Sequence, residues 1–242
     1  MVCPIFWKSG NSDEDPFKIF DVVCICHTQI NTMDPLMYFT DFDYGFILFA
    51  SMFALYSNSI DTGYVWDDRA AIVDNLDVHG TTPLSTLFTN DFWGQDMQLW
   101  DSHKSYRPFT VLTYRMNHTL GGLQPWGYHL GNVLIYSLCT VFMYMFASQW
   151  MSKRGARVAA LIFGFHPVHV EAVASLVGRA DALCGLLFLA SSYLYTAHIR
   201  NQGSGYTARV LTLIGAIICG LASSLSKEVG VTIFGLLILL EF

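Results

Sequence analysis

Six apolar runs, divided by polar links, organise residues 44–242. The first runs from Tyr44 to Tyr56 and extends to Ile60, about 17 residues, a short membrane helix able to act as an uncleaved signal-anchor. A polar, aromatic, Pro- and Gly-marked stretch follows from Asp61 to about Tyr128, and then a second run from His129 to Met151. Lys153-Arg154-Gly155-Ala156-Arg157 forms a basic link. Val158 to Phe165 is apolar but stops at His166-Pro167, and apolar residues resume from Val168 to Val177 around His169 and Glu171. Proline removes a donor and clashes with the preceding turn. This run is therefore one helix broken at Pro167, or a short span followed by a helix in a protein-lined cavity. Ala182–Ala197 and Val210–Leu225 are further runs, joined by a polar link that contains Gly203-Ser204-Gly205. Ser226-Lys227-Glu228 precedes the last run, Val229–Phe242.

This pattern predicts an all-α, polytopic membrane helical bundle of about six spans, with a long loop over 61–128 that contains an amphipathic helix. Residues 1–43 carry the acidic stretch Ser12-Asp13-Glu14-Asp15-Pro16 and lack the plan of a cleavable signal peptide, so they read as a weakly ordered arm. Lys153, Arg154 and Arg157 lie between spans two and three, and Arg200 and Arg209 between spans four and five. The positive-inside rule makes both links cytoplasmic, and the arm with them. Loop 61–128, the Gly178–Asp181 link and Lys227-Glu228 then share the opposite, luminal face. Three polar sites converge there.

Composition agrees. The 242 residues are 53% hydrophobic and 13% charged, with a mean hydropathy of +0.40. A soluble chain of this length carries more charge, so lipid is the expected solvent, and membrane lipids are expected neighbours. A net charge of -6 with no basic stripe argues against nucleic-acid binding. Six Trp and twelve Tyr suit both interfacial belts and carbohydrate-facing surfaces. Of six cysteines, Cys139, Cys184 and Cys219 lie in apolar runs and none lies in the long loop, so no disulfide framework is expected. Cys24-x-Cys26-His27 is a weak metal pattern set against ordinary packing, and no metal site is expected.

Four places carry candidate chemistry. Tyr64-Val65-Trp66-Asp67-Asp68-Arg69 sets two adjacent carboxylates just beyond the first span. Mutual repulsion tends to raise the pKa of one member, which suits a general base, and Trp66 is placed to stack on a sugar. The competing reading makes the pair the cap of a helix over Arg69–Val73. In Trp100-Asp101-Ser102-His103-Lys104-Ser105-Tyr106-Arg107-Pro108, His103, Lys104 and Arg107 form a cationic group for a phosphate, or a loop set against lipid headgroups or nearby aspartates. His166, His169 and Glu171 surround Pro167 without the i, i+4 spacing of a zinc helix, and Arg179 is a candidate for an anionic ligand. Internal packing and salt bridging is the alternative for both. Lys227-Glu228 reads as a solvated turn or as a phosphate contact. Asn117-His118-Thr119 fits a glycosylation triplet on the luminal side.

Taken in order, several motifs resemble the transmembrane, TPR-containing O-mannosyltransferases, the TMTC family. They are Trp66-Asp67-Asp68-Arg69, Thr82-Pro83-Leu84-Ser85-Thr86-Leu87-Phe88-Thr89-Asn90-Asp91-Phe92-Trp93-Gly94, Ser105-Tyr106-Arg107-Pro108-Phe109-Thr110-Val111-Leu112-Thr113, Gly121-Gly122-Leu123 with Tyr128-His129-Leu130, His166-Pro167-Val168-His169-Val170-Glu171-Ala172-Val173-Ala174, Gly178-Arg179-Ala180-Asp181 and Leu225-Ser226-Lys227-Glu228. The resemblance runs from about residue 44 to the end. It implies a partial GT-C type glycosyltransferase membrane domain in the endoplasmic reticulum membrane. It also implies dolichyl-phosphate mannose as the lipid-linked donor substrate, no cofactor, and Ser or Thr hydroxyls of luminal, cadherin-type proteins as acceptors. By resemblance the acidic pair, Asp67 and Asp68, carries catalysis. Residues 1–43 do not resemble the family's start, and the chain ends before the family's remaining spans and TPR array. It thus reads as an N-terminal fragment of reduced or absent activity of its own.

Two other classes compete. A transporter needs mid-span ionisable residues and paired broken helices, whereas the charges here gather at luminal ends. A truncated, non-catalytic membrane adaptor differs from the enzyme only in what the acidic pair does.

Overall fold

In a computed structural model, described for residues 40–200, 203 and 205–241, the regular elements are helical apart from one bridge between Asn90 and Asp96. Helix α1 (Asp41–Tyr56) is followed by a tight turn, a wide five-residue π-turn over Arg69–Val73, and the short α2 (Leu76–His79). Asn75 caps α2 by accepting from the Asp77 amide, and Gly80, at φ 72, ends it. Pro108 opens α3 (Pro108–Gly121) and Pro125 opens α4 (Pro125–Ala147), each in the first helical turn, where a missing N–H costs nothing. Ser152 caps α5 (Lys153–Phe165) through the Gly155 amide. Pro167 stops that helix as expected, and the chain passes through a short 3-10 turn into α6 (Val170–Ala174). Helices α7 (Arg179–Arg200), α8 (Tyr206–Ser226) and α9 (Thr232–Glu241) complete the described part.

Three helices, α4, α7 and α8, are long and apolar enough to cross a membrane. The other three of the about six expected spans are shorter helices. Helices α1, α5 and α9 have 16, 13 and 10 residues, short of the roughly 20 that a bilayer core needs. The break at Pro167 and the 3-10 turn Glu228–Val231 shorten the last two.

The bundle has two chemically different ends. At one, Lys153 Nζ pairs with Asp41 at 2.7 Å, Arg157 lies over the Tyr44 ring, and Arg200 covers Trp150 and donates to the Gln149 carbonyl. Both basic links therefore sit at this end. At the other, loop 61–128 is a packed body rather than a loose connection. Ala71, Ile72, Val78, Leu87, Phe92, Val111, Tyr114, Tyr128 and Leu176 form its core. Asp77 accepts from Thr82, Thr86 and Asn90, while Asp91 accepts from the Ser102 hydroxyl and from the amides of Trp93, Gln95 and His103. Buried carboxylates so fully hydrogen-bonded fix the loop's shape.

Candidate active site

Two ties bring the loop against the helix ends, and a third joins α4 to the segment before α7. Thr110 donates to the Ser226 carbonyl at 2.8 Å, which sets the start of α3 beside the end of α8. Tyr114 donates to the Leu176 carbonyl at 2.7 Å. Asn132 of α4 donates to the carbonyls of Val173 and Ser175. Gly178 allows the close turn into α7, because a Cβ there would lie 2.6 Å from the Glu171 carbonyl oxygen.

Beside these ties lies an open cavity of about 650 Å³. Asp67 comes to it from the first loop, Arg107 from the start of α3, Glu171 and His169 from the broken segment, Asp181 from α7 and Lys227 from the end of α8. Tyr136, Cys139 and Phe163 add apolar wall. Five residues singled out in the sequence thus meet: Asp67, Arg107, His169, Glu171 and Lys227.

The acidic pair divides. Asp68 is 1% exposed, and its two oxygens accept from the Val65 and Val177 amides at 3.1 Å each. It locks the first loop to the turn before α7 and does not line the cavity, so the expectation that Asp67 and Asp68 act there as a pair is corrected. Nor does its side chain cap the turn over Arg69–Val73. Asp67 is exposed toward the cavity, and its carboxylate has no hydrogen bond or ion pair among the described residues. The separation comes from Trp66, whose φ of 42 is costly for a bulky residue. With Asp68 N bonded to Val65 O at 2.8 Å, this tight turn sends consecutive side chains in different directions. Trp66 itself is 89% exposed and lies outside the cavity lining, so it is not positioned to stack on a sugar there. Beside Asp68, burial and then that carboxylate push the Tyr64 phenol up to about 12. Burial likewise raises the Tyr114 phenol.

The cations also sort. Lys227 Nζ pairs with Asp181 at 2.5 Å, and Arg107 Nε meets both Glu228 oxygens at 3.2 Å while its guanidinium covers Phe92. Lys104 instead donates to the carbonyls of Met97 and Leu99, and His103 bonds the Ser105 hydroxyl, so the expected three-cation group is reduced to Arg107. Arg179 does not face a ligand. It is 1% exposed, bonds Asn132, Asn117, Thr113 and the Tyr128 carbonyl, and stacks on Tyr114 and Tyr128. His166 caps its own turn by accepting from Val168 N, away from the cavity. Asn117 gives its amide to the Gly127 carbonyl and its oxygen to Arg179, so a glycan there would displace internal bonds. The described residues contain no cluster of metal-ligating side chains, and Cys24, Cys26 and His27 lie outside them. Asp181 was not singled out by itself. Its signal was an acidic residue in the first turn of a helix that begins beside a polar site.

The chain is 42% identical to mouse protein O-mannosyl-transferase TMTC3 over 183 residues, 76% of this chain and 20% of that protein. It is 41% identical to fruit-fly Tmtc1 over 184 residues, and 40% identical to human TMTC4 over 197 residues, covering 76% and 75% of this chain and 21% and 27% of theirs. It therefore spans about a fifth to a quarter of the length of the curated relatives it matches. No family model matches, and no solved structure matches. With this identity along three quarters of its length, and with five of the seven quoted motifs contributing residues to one cavity, the chain belongs to the TMTC family.

Proposed function

We propose that this chain supplies the donor and base half of a protein O-mannosyltransferase site that uses dolichyl-phosphate mannose. The carrying observation is that Asp67, a carboxylate without a partner, lines the same cavity as Arg107 and Lys227. Asp67 accepts the proton of a Ser or Thr hydroxyl as that oxygen attacks the anomeric carbon. The bond from that carbon to the phosphate oxygen breaks, and the lipid phosphate leaves with the electron pair. Configuration inverts in this single displacement. Lys227 and Arg107 meet the negative charge that develops on the leaving phosphate, where preformed cations lower the barrier most. Asp181 and Glu228 hold those cations at the wall and yield them to the phosphate. Phosphate is a good leaving group, so the step needs no metal. The polar cavity and the basic end lie at opposite ends of the bundle, which supports a lumen-facing site in a multi-pass protein of the endoplasmic reticulum. Acceptors of the cadherin type, and a GT-C membrane domain over residues 44–242, follow from the family resemblance.

The test is Lys227→Met in this chain's segment grafted in place of the matching segment of mouse TMTC3. Losing one charge-assisted bond to phosphate is expected to raise the donor KM roughly ten- to hundredfold. A donor KM unchanged in initial-rate measurements would remove Lys227 from the site.

A further inference from the structure

A second cavity, of about 700 Å³, lies against the first and shares Val168, Glu171 and Ser175 with it. The cations Arg107 and Lys227 line only the first, whereas Thr62 and Val65, from the loop that delivers Asp67, line only the second. Glu171 is the one ionisable group in the second cavity, and its carboxylate has no partner among the described residues. The remaining wall is largely apolar: Val65, Pro167, Val168, Val170 and Ala174.

We infer that the second cavity is the acceptor site and takes an extended polypeptide segment, with Glu171 at the junction selecting a basic residue beside the hydroxyl to be modified. This rests on the transfer reading above. Displacement with inversion needs the hydroxyl to approach from the side opposite the leaving phosphate. An open groove lined by no cation, bordered by the Asp67 loop and joined to the donor cavity through three shared residues, meets that need. The apolar wall accepts side chains flanking the hydroxyl. The unpaired carboxylate favours a cationic neighbour and repels an acidic one, which is how a single charge sets specificity.

The test uses the same graft into mouse TMTC3 and two synthetic Ser/Thr peptides, one with Lys and one with Glu next to the hydroxyl residue. Ala174→Trp, which fills the second cavity from an exposed helix position, is expected to raise the peptide KM roughly tenfold and leave the donor KM unchanged. Glu171→Lys is expected to reverse the preference between the two peptides, and it decides the matter should Ala174→Trp not fold. An unchanged peptide KM with unchanged preference overturns the proposal. So does a rise in donor KM alone, which would assign the cavity to the lipid. A parent graft that transfers no mannose, although folded, defeats the transfer reading itself and the acceptor site with it.

Discussion

Asp67→Asn is expected to abolish mannose transfer in the graft with mouse TMTC3, by roughly 10²- to 10⁴-fold, while leaving the protein as stable as its parent. Asparagine matches aspartate in shape and cannot take a proton from the acceptor hydroxyl. Asp67 makes no bond among the described residues that the change would break, so stability should move by no more than about 0.5 kcal/mol. Asp68→Asn should show the opposite signature. Asp68 presents two acceptor oxygens to two amides, and asparagine has one oxygen and a donor where the second is needed. The expected cost is about 1–3 kcal/mol of stability, with residual transfer that follows the folded fraction. Specific activity per folded molecule, together with detergent melting curves, separates the two. Equal catalytic losses with equal melting curves would mean that both acids act in the cavity.

Arg179 should give the largest stability effect in the chain. Its guanidinium donates to Asn132 at 2.7 Å, and to Asn117 and the Tyr128 carbonyl at 2.6 Å each, from a position 1% exposed between two aromatic rings. Arg179→Met leaves three inward-facing acceptors without a donor, at about 1–3 kcal/mol each, a large share of the 5–15 kcal/mol that usually stabilises a fold. Arg179→Lys should not rescue it, because one ammonium cannot span acceptors arranged around a planar fork. A second variant isolates the geometry. A Cβ at Gly131 would sit 2.9 Å from Arg179 Nη2. Gly to Ala within a helix normally gains up to about 1 kcal/mol, so Gly131→Ala should destabilise against the propensity. Fluorescence-detected size exclusion after graded heating measures both, and a melting temperature unchanged in Arg179→Met would contradict the assigned role.

Much of the architecture was legible in the sequence because lipid imposes a simple rule. Apolar runs near bilayer length marked α4, α7 and α8, and Pro167 marked the break between α5 and α6. Alternation of the polar links placed residues from three links at one end, and Asp67, Arg107, Asp181 and Lys227 do meet there. Boundaries slipped where capping outweighed hydropathy. Helix α4 starts at Pro125, four residues before the apolar run, because proline suits a first turn. The site was legible only to the level of motifs. Nothing in Asp67-Asp68 tells which side chain points outward, since that depends on the left-handed backbone at Trp66. Arg179 looked like a ligand contact because a charged residue at a membrane boundary usually serves a site. Its neutral partners Asn117, Asn132 and Thr113 are scattered along the chain and share no pattern. Likewise, His103 and Lys104 adjoin Arg107 in sequence, but Lys104, at φ 62, turns its ammonium back onto loop carbonyls.

The central claim is that the cavity shared by Asp67, Arg107 and Lys227 holds the phosphate end of an isoprenoid lipid. The most direct measurement is photolabelling of the purified 242-residue chain with a dolichyl phosphate carrying a diazirine on its phosphate-proximal isoprene, followed by peptide mapping. Adducts are predicted on Phe163, Val168 and the Ala182–Gly185 turn, competed by dolichyl-phosphate mannose and lost in Lys227→Met. Adducts confined to the outward faces of α8 and α9, and indifferent to both competitor and substitution, would contradict the account.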